Sequence, residues 1–281
     1  MESVIEIVGR RVSCRSFDGR PLEPMDTESL RQALAEVRRT PFGNRVRFTL
    51  LDLDGGDPGQ ARLGTYGVIR GARTFLAGAV MAGARAMEDF GHAMETMILR
   101  ATEQNLGTCW LGGTFSRSGF ASAMNLTEDE IIPAVTPVGY PAGKRTLTDR
   151  IFRFTASSDK RMPWGDLFFS ETWDRSLDRD AAGPWVPVLE CVRLGPSASN
   201  KQPWRILRRG ADHHLFLKRT PRYGDFPGGI RLQNVDLGIA MCHFEAAARE
   251  LGLDGQWAVE ASPPEAPGRE YIATWKRAPA A

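Results

Sequence analysis

Two long segments carry apolar residues at the three- and four-residue spacing of a helix that buries one face. The first runs from about Glu88 to Leu106 and the second from Asp236 to Leu251. A glycine follows each segment, Gly107 and Gly252, and can end the helix there. The pattern therefore predicts two long, largely buried helices. Their predicted buried faces are formed by Phe90, Ala93, Met94, Met97, Ile98 and Ala101, and by Leu237, Ala240, Met241, Phe244, Ala248 and Leu251.

A shorter pattern occurs twice, once in each half of the chain. Residues 27–38 and 182–193 have helical periodicity. Each leads into a turn rich in Pro, Gly, Ser and Asn, and then into an apolar run, RFTLLDLD or WRILRR. Both halves are therefore predicted to contain helix, loop and strand in the same order.

Three pairs of strings are similar between the two halves of the chain. SFDGRPL at Ser16 is similar to SLDRDAAGPW at Ser176, PFGNRVRFTLL at Pro41 to PSASNKQPWRIL at Pro196, and DFGHAM to DLGIAM. Their order is the same, and the spacing between partners shortens steadily, as small deletions in a duplicated unit would make it. We expect two half-domains, residues 1–148 and 180–281, with residues 149–179 as a linker that wraps over the surface.

Composition limits the possible functions. The 281 residues are 42% hydrophobic, and 36 basic and 34 acidic side chains leave a net charge of +2, too small to favour a nucleic acid or an anionic membrane. No apolar run approaches the roughly 20 residues that cross a bilayer. The amino end, MESVIEIVGRR, carries acidic residues where a signal peptide is basic. We expect a cytoplasmic protein.

The four cysteines are widely spaced, without a CxxC pair. Only Cys242, beside His243, has a histidine at a metal-ligand distance in sequence. We therefore expect free thiols and no metal site. None of the histidines is assigned a chemical role: His92 and His243 lie in the predicted helices, and the other two, His213 and His214, lie in what reads as a polar turn.

The string RRVSCRSF near the amino end concentrates donors for an anion. Arg10, Arg11 and Arg15 surround Ser13, whose hydroxyl donates without adding charge. A phosphate requires several such donors in fixed geometry. A short basic cluster is a solvated surface at least as often as an anion site, so this string alone leaves both interpretations open.

A second string, PSASNKQPWR, begins at Pro196, and together the two resemble flavin-contacting segments of the nitroreductase family. The family has an Arg, a Ser two residues on and a basic residue two further on, which Arg11, Ser13 and Arg15 match. It also has a Pro-Ser-Ser-x-Asn-x-Gln-Pro-Trp loop that reaches the partner subunit's flavin. The residues that match this loop are Pro196, Ser197, Ala198, Asn200, Gln202, Pro203 and Trp204, with Ala198 in place of one serine.

The two halves have lost complementary parts of these motifs. The first-half string PFGNRVRF keeps Asn44 but lacks the serines and the Gln-Pro-Trp, while the second-half string SETWDRSLDRD lacks the paired arginines and the serine after them. The resemblance therefore implies an α+β, nitroreductase-like fold in which the half-domains form an intramolecular pseudo-dimer. It further implies a monomer with one intact FMN site per chain.

Two other segments acquire roles through the same resemblance. The family places a backbone amide against the flavin ring from the region of GTCWLGGTF, which points to Leu111, Gly112 and Gly113, although the glycines could simply form a tight turn. Family members also grip the phosphate with a Lys and an Arg near the carboxyl end. Lys160 and Arg161 are assigned this role, and the neighbouring pair Lys144 and Arg145 competes for it.

The activity implied is an FMN-dependent transfer of hydride from NADH or NADPH to an electron-poor acceptor, a nitroaromatic or a quinone, by a ping-pong mechanism in one pocket. No GxGxxG motif follows a strand, so a separate nicotinamide-binding domain is not expected. Within the superfamily, a reductive dehalogenase and an oxygen-dependent flavin-fragmenting enzyme remain alternatives. Outside it, the alternatives are a flavin store or redox sensor without turnover, and a structural module that has lost FMN.

Overall fold

The structure is a computed structural model that describes residues 2–37, 40–53, 64–143 and 160–277. Its described part up to Gly143 contains four helices and five strands. The helices are α1 (Val4–Arg10), α2 (Pro24–Glu36), α3 (Ala86–Glu103) and α4 (Arg117–Ala123). The strands are β1 (Val46–Asp52), β2 (Thr74–Met81), β3 (Gly107–Thr108), β4 (Glu130–Ile131) and β5 (Val135–Gly139).

The described part from Lys160 onward contributes the remaining elements. Its helices are α5 (Trp164–Leu167), α6 (Arg179–Ala182), α7 (Val186–Leu194) and α8 (Leu232–Glu250), with short 3-10 turns at Gly183–Trp185, Ala198–Asn200 and Pro227–Gly229. Its strands are β6 (Phe168–Ser170), β7 (Thr172–Ser176), β8 (Trp204–Arg209), β9 (Asp212–Leu217), β10 (Asp225–Phe226), β11 (Ile230–Arg231), β12 (Gly255–Ala258) and β13 (Glu270–Arg277).

Two sheets are connected in the same way. The first has the order β1-β2-β5-β3, with β4 also on β2, and the second has the order β12-β13-β9-β8-β6-β7. In the first sheet β1 pairs with β2, β2 pairs with β5, and β5 pairs with β3, the strand that follows α3. In the second sheet the corresponding pairs are β8 with β9, β9 with β13, and β13 with β12, the strand that follows α8. All pairs are antiparallel except β6 with β8. The predicted mixture of helices and sheets is confirmed.

The long helices α3 and α8 pack against each other between the sheets. Every residue of the predicted apolar faces is buried except Leu251, which is 40% exposed and follows the end of α8. The predicted helices and the strand WRILRR agree with the structure, with helix ends shifted by a few residues. Side-chain periodicity at helical spacing was therefore a sufficient signal for this core.

The two helix ends differ in the residue that makes the turn. Gly252 follows α8 with a φ of +66°, as predicted for a glycine that ends a helix. After α3 this position is taken by Asn105, with a φ of +58°. The prediction for Gly107 is wrong, because Gly107 lies in β3, where a Cβ would be 2.8 Å from the Cys14 side chain.

Residues 160–179, the described part of the segment assigned as a linker, pack onto the second sheet. The β6 residue Phe168 is paired with Ile206 of β8, and both Leu167 and Phe168 are fully buried. This segment therefore forms the edge of the sheet beyond β8. Among the described helices, none is both long enough and apolar enough to cross a membrane.

His213 and His214 correct a second expectation. They lie inside β9 and are 1% and 5% exposed, whereas the sequence was interpreted as a polar turn there. Burial lowers the pKa of His213 to about 3, so this imidazole is neutral. The turn lies just before β9, at Gly210 and Ala211, and Gly210 has a φ of +57°. Cys191 and Cys242 are free thiols, as predicted.

Candidate functional site

A cavity of about 200 Å³ opens between segments that are far apart in sequence. Its walls are the strand-like segment after α1, the turn after β3, the loop between α7 and β8, and the first half of α8. The lining residues are Arg11, Val12, Ser13, Arg15, Trp110, Gly112, Ala134, Arg161, Pro196, Ser197, Ala198, Ser199, Asn200, Leu232, Val235, Asp236 and Ile239.

Residues 11–15 are held in place by backbone contacts. The amide of Arg11 donates to Ile7 at the end of α1, and the amide of Cys14 donates to the carbonyl of Thr108 at 2.7 Å. Ser13 and Thr108 form a parallel bridge beside the first sheet. These contacts extend the chain along β3, so that Ser13 and Arg15 face the cavity.

A buried charge cluster supports Arg11 from behind. Arg11 is 8% exposed, and its Nε lies 3.8 Å from Oε1 of Glu95, which is fully buried in α3. The other oxygen of Glu95 accepts a hydrogen bond from the indole Nε1 of Trp110 at 2.6 Å. One buried carboxyl therefore positions two residues of the cavity wall.

The same carboxyl is joined to α8 through His243. Nε2 of His243 lies 2.9 Å from Oε1 of Glu95, and Nδ1 lies 2.8 Å from the carbonyl oxygen of Cys191. A carbonyl can only accept, so Nδ1 carries a hydrogen and donates it. A hydrogen bond between Nε2 and Oε1 then needs one further proton, carried by the imidazole or by the carboxyl. The cluster is thus a satisfied polar contact between the two long helices.

The loop from Pro196 to Gln202 has an unusual backbone. Ser199, Asn200 and Gln202 have φ values of 44°, 55° and 47°, in the left-handed region that costs a residue with a side chain of order 1–3 kcal/mol. Such strain persists only where surrounding contacts determine the conformation. The amides of Asn200 and Lys201 donate to the carbonyls of Ser197 and Ala198, so the loop closes on itself.

Hydrogen bonds fix this loop at every strained position. The amide of Gln202 donates to Oγ of Ser197 at 2.9 Å, and the hydroxyl of Tyr223 donates to Oγ of Ser199 at 2.6 Å. Asn200 accepts from Nη1 of Arg161 at 3.1 Å. Contacts with Tyr223 and Arg161, together with the bond inside the loop, thus hold its strained conformation.

Asp236 is a buried carboxyl at the cavity wall. It is 3% exposed, and its Oδ1 accepts a hydrogen bond from the amide of Ala198 at 3.0 Å. Its Oδ2 has no hydrogen-bond partner among the described residues. Burial raises the pKa of Asp236 to about 8, against the lowering effect of the Ala198 bond. At pH 7 this side chain is therefore mostly a neutral acid.

The electrostatics of the cavity favour an anion. Arg11, Arg15 and Arg161 line it, and Asp236 is the one carboxyl among the described lining residues. A cavity with three guanidinium groups and a neutral acid suits a phosphate or another anionic group. Among the described residues, no cluster of His, Cys, Asp and Glu could hold a metal ion.

Gly112 lies at the turn that the sequence singled out. A Cβ there would be 2.7 Å from the Leu232 side chain, which itself lines the cavity. The Arg117 guanidinium donates to the Gly112 carbonyl, and burial lowers the pKa of Arg117. A larger residue at this position would have to displace the end of the Leu232 side chain.

Most of the residues singled out from the sequence meet at this cavity. The structure places the following of them in its wall: Arg11, Ser13, Arg15, Gly112, Arg161, Pro196, Ser197, Ala198 and Asn200. Residues the sequence reasoning missed are Val12, Trp110, Ala134, Ser199, Leu232, Val235, Asp236 and Ile239. The only signal for Asp236 was its place in the DLGIAM repeat, which indicated duplication and no chemistry.

Five other candidates lie outside the cavity wall. Arg10 faces away, donating to Asn105 and to the Thr102 carbonyl, and Lys160 is exposed. The Leu111 amide donates to Val135, so it is already used within the first half. The remaining two are Gly113, which lies against Phe226, and Gln202, which is buried behind the loop and bonded to Met162. Lys144 and Arg145 lie outside the described residues.

Similar structures place the chain among known folds. A crystal structure of a "putative nitroreductase" from Thermotoga maritima has a TM-score of 0.59 and 19% identity, over 98% of this chain and 92% of that one. Two further matches cover about half of this chain. A "putative NADH dehydrogenase/NAD(P)H nitroreductase" from Bacteroides thetaiotaomicron covers 52% of this chain and 90% of its own, at 19% identity and a TM-score of 0.42. The match to an "FMN-dependent nitroreductase" from Clostridium difficile covers 50% of this chain and 90% of that one, at 16% identity and a TM-score of 0.41.

No protein among the curated sequences shows a significant match to the chain. Residues 3–248 match a protein family that is described as "Putative TM nitroreductase". This match covers the first sheet, α3, all but the last two residues of α8 and the whole described cavity wall, and it ends before β12 and β13. The chain therefore belongs to this nitroreductase family, as the resemblance of its two flavin-type motifs implied.

Proposed function

We propose that this chain is an FMN-dependent oxidoreductase that binds one FMN in the cavity between its two halves. The observation that carries the proposal is the meeting of Ser13 and Asn200 at one cavity, although they are far apart in sequence. Each belongs to one of the two strings that resemble flavin-contacting segments. No second polypeptide is needed to bring them together.

The residues present fit this cofactor. FMN combines a phosphate, a ribityl chain with several hydroxyls and a flat ring. Arg11, Ser13, Arg15 and Arg161 would hold the phosphate and neutralise its charge. The side chains of the loop from Pro196 to Asn200, together with the turn at Gly112, would contact the ribityl chain and the ring.

An internal duplication accounts for the single site. The two sheets share one connectivity, and the contact between α3 and α8 is reciprocal: Gly91 faces the backbone of Val235, while Gly238 faces that of Glu88. A contact in which each partner uses the same positions is the mark of a two-fold interface. We therefore propose that residues 1–148 and 180–281 are half-domains of a pseudo-dimer, joined by residues 149–179.

When bound, FMN supplies the hydride chemistry itself. The protein's part is to orient the cofactor and to stabilise the negative charge of its reduced form. Arg11 and Arg15 would orient the cofactor through its phosphate, and the Glu95 carboxyl keeps Arg11 in place from behind. NADH or NADPH and an electron-poor acceptor, a nitroaromatic or a quinone, would enter the same cavity in turn.

Steady-state oxidation of NADH and NADPH tests this function. With a nitroaromatic or a quinone as acceptor, we expect turnover and parallel lines in double-reciprocal plots, as two substrates alternating in one site require. A yellow protein that neither nucleotide bleaches would indicate a flavin store or sensor. A protein that remains colourless with excess FMN would reject the proposal altogether.

A further inference from the structure

Two aspartates occupy matching positions at the start of the two long helices, in DFGHAM and DLGIAM. Asp89 is fully buried and fully bonded: Oδ1 accepts from the amide of Phe42, and Oδ2 accepts from the amide and the side chain of Asn44. Asp236 accepts one bond, from Ala198. The same framework thus satisfies one carboxyl and leaves an oxygen of the other without a partner in the described structure.

The two aspartates differ because the asparagine in the loop beside each of them has different hydrogen-bond partners. Asn44 turns its amide group toward Asp89, whereas Asn200 donates to the carbonyl of Lys160 at 2.7 Å and accepts from Arg161. Asp236 belongs to the cavity wall, and its buried Oδ2 is left without a partner among the described residues. A buried polar atom without a hydrogen bond destabilises the protein, and a bound ligand that pairs with it would remove that cost.

The surroundings determine what Oδ2 can bind. Leu232, Val235 and Ile239, its neighbours on α8 in the wall, are apolar. The charged groups around it are Arg11, Arg15 and Arg161 across the cavity, and Glu88 and His92 on α3, which packs against α8 at Gly238. Burial outweighs the lowering effect of the Ala198 bond and raises the pKa of Asp236 to about 8, so near neutral pH the group can donate.

We infer that Asp236 is a further ligand-binding residue of this cavity, whose Oδ2 donates a hydrogen bond to a carbonyl oxygen or an unprotonated ring nitrogen of the bound flavin. The inference rests on the proposed function. An ionised Asp236 would instead turn an acceptor toward the acceptor atom of the ligand. Flavin affinity should therefore decrease as Asp236 ionises, in proportion to the remaining neutral fraction.

FMN titrations monitored by flavin fluorescence, from about pH 6.5 to 9.5, test the inference. In the wild type we expect an affinity that is constant at low pH and decreases by about tenfold per pH unit above the pKa of Asp236. In Asp236→Asn the amide donates at every pH, and its oxygen still accepts from Ala198. This variant should bind within about threefold of the wild type at pH 6.5, without the alkaline decrease.

Asp89→Asn is the matched control, because Asp89 is buried at the corresponding position but does not line the cavity. It should keep the alkaline decrease of the wild type. A wild type whose affinity is constant up to pH 9.5 would overturn the inference. So would an Asp236→Asn variant that loses affinity as the wild type does, since the titrating group would then lie elsewhere.

A second measurement covers the case in which Asp236→Asn does not fold. Infrared difference spectra of the wild type at pH 7 should show that FMN binding shifts the carbonyl band of a protonated carboxylic acid. Absence of such a band would overturn the inference while leaving FMN binding intact. A wild type that binds no FMN at pH 6.5 would reject the proposed function, and the inference with it.

Discussion

Gly91 and Gly238 lie where α3 and α8 cross, and each faces the backbone of the other helix. A Cβ on Gly91 would collide with the Val235 carbonyl, and a Cβ on Gly238 would collide with the Glu88 carbonyl. This close approach of the two helices brings Glu95 to His243 and places Asp236 at the cavity. The crossing therefore determines both the stability of the molecule and the shape of its candidate site.

Replacing either crossing glycine by alanine should destabilise the protein strongly. Added methyl groups in a packed core cost about 1–3 kcal/mol, and here the obstacle is backbone, which cannot rotate away. Urea unfolding of Gly91→Ala and Gly238→Ala measures the loss. The control is Gly9→Ala in α1, where a Cβ would meet nothing within 4 Å. It should be neutral or stabilising by about 0.5–1 kcal/mol, and equal effects at all three positions would contradict the helix contact.

Removing the carboxyl of Glu95 should affect stability and flavin binding together. Glu95→Ala leaves Arg11, Trp110 and His243 without their buried partner, and breaking a buried ion pair typically costs about 3–5 kcal/mol. The more conservative Glu95→Gln should fold and weaken FMN binding by releasing Arg11. Glu103→Ala, which removes only a partly exposed partner of Arg100, is the control and should change neither. Unchanged stability of Glu95→Ala would show that the cluster is not structural.

Arg11→Ala should weaken FMN binding by roughly ten- to hundredfold, which corresponds to about 1.5–3 kcal/mol for a charge-assisted hydrogen bond. Fluorescence titration at neutral pH measures the change. Arg10→Ala is a close control, because Arg10 is adjacent in sequence but points toward Asn105 and away from the cavity. If both variants bind FMN as the wild type does, Arg11 has no role in the site.

The stability of the ligand-free protein should depend on pH through Asp236. The pKa of this group is raised on folding, from an ordinary value of 3.8 to about 8. Its contribution is fully present below the unfolded value and is lost progressively as the pH rises toward the folded value. The stability of Asp236→Asn relative to the wild type should therefore increase from pH 5 to pH 8. A stability difference that stays constant over this range would show that Asp236 ionises normally.

The sequence predicted the elements with strong periodicity and could not predict the pairings between them. The buried faces of α3 and α8 and the strand WRILRR were visible because a helix or a strand repeats its pattern locally. The pairing of Glu95 with His243 joins different helices, so no local pattern records it. Gly107 was misjudged because Asn105 can also adopt the left-handed conformation that ends a helix.

The candidate site shows the same limit. Arg11, Ser13 and the loop at Asn200 were identified because their strings resemble flavin-contacting segments, and the structure brings them to one cavity. The string around Asp236 looked like core packing. Its chemistry comes from burial beside the cavity and from a loop asparagine that turns elsewhere, and neither can be seen without the packed structure.

The most direct test is to measure flavin content and molecular mass together on the purified protein. After incubation with FMN and removal of the excess, the absorption spectrum should show bound oxidised flavin at one FMN per chain, on a species with the mass of a single chain. A colourless protein would contradict the proposed site, since Ser13 and Asn200 would then share a cavity without sharing a cofactor. Two FMN per chain, or flavin bound only to a dimer, would contradict the single intramolecular site.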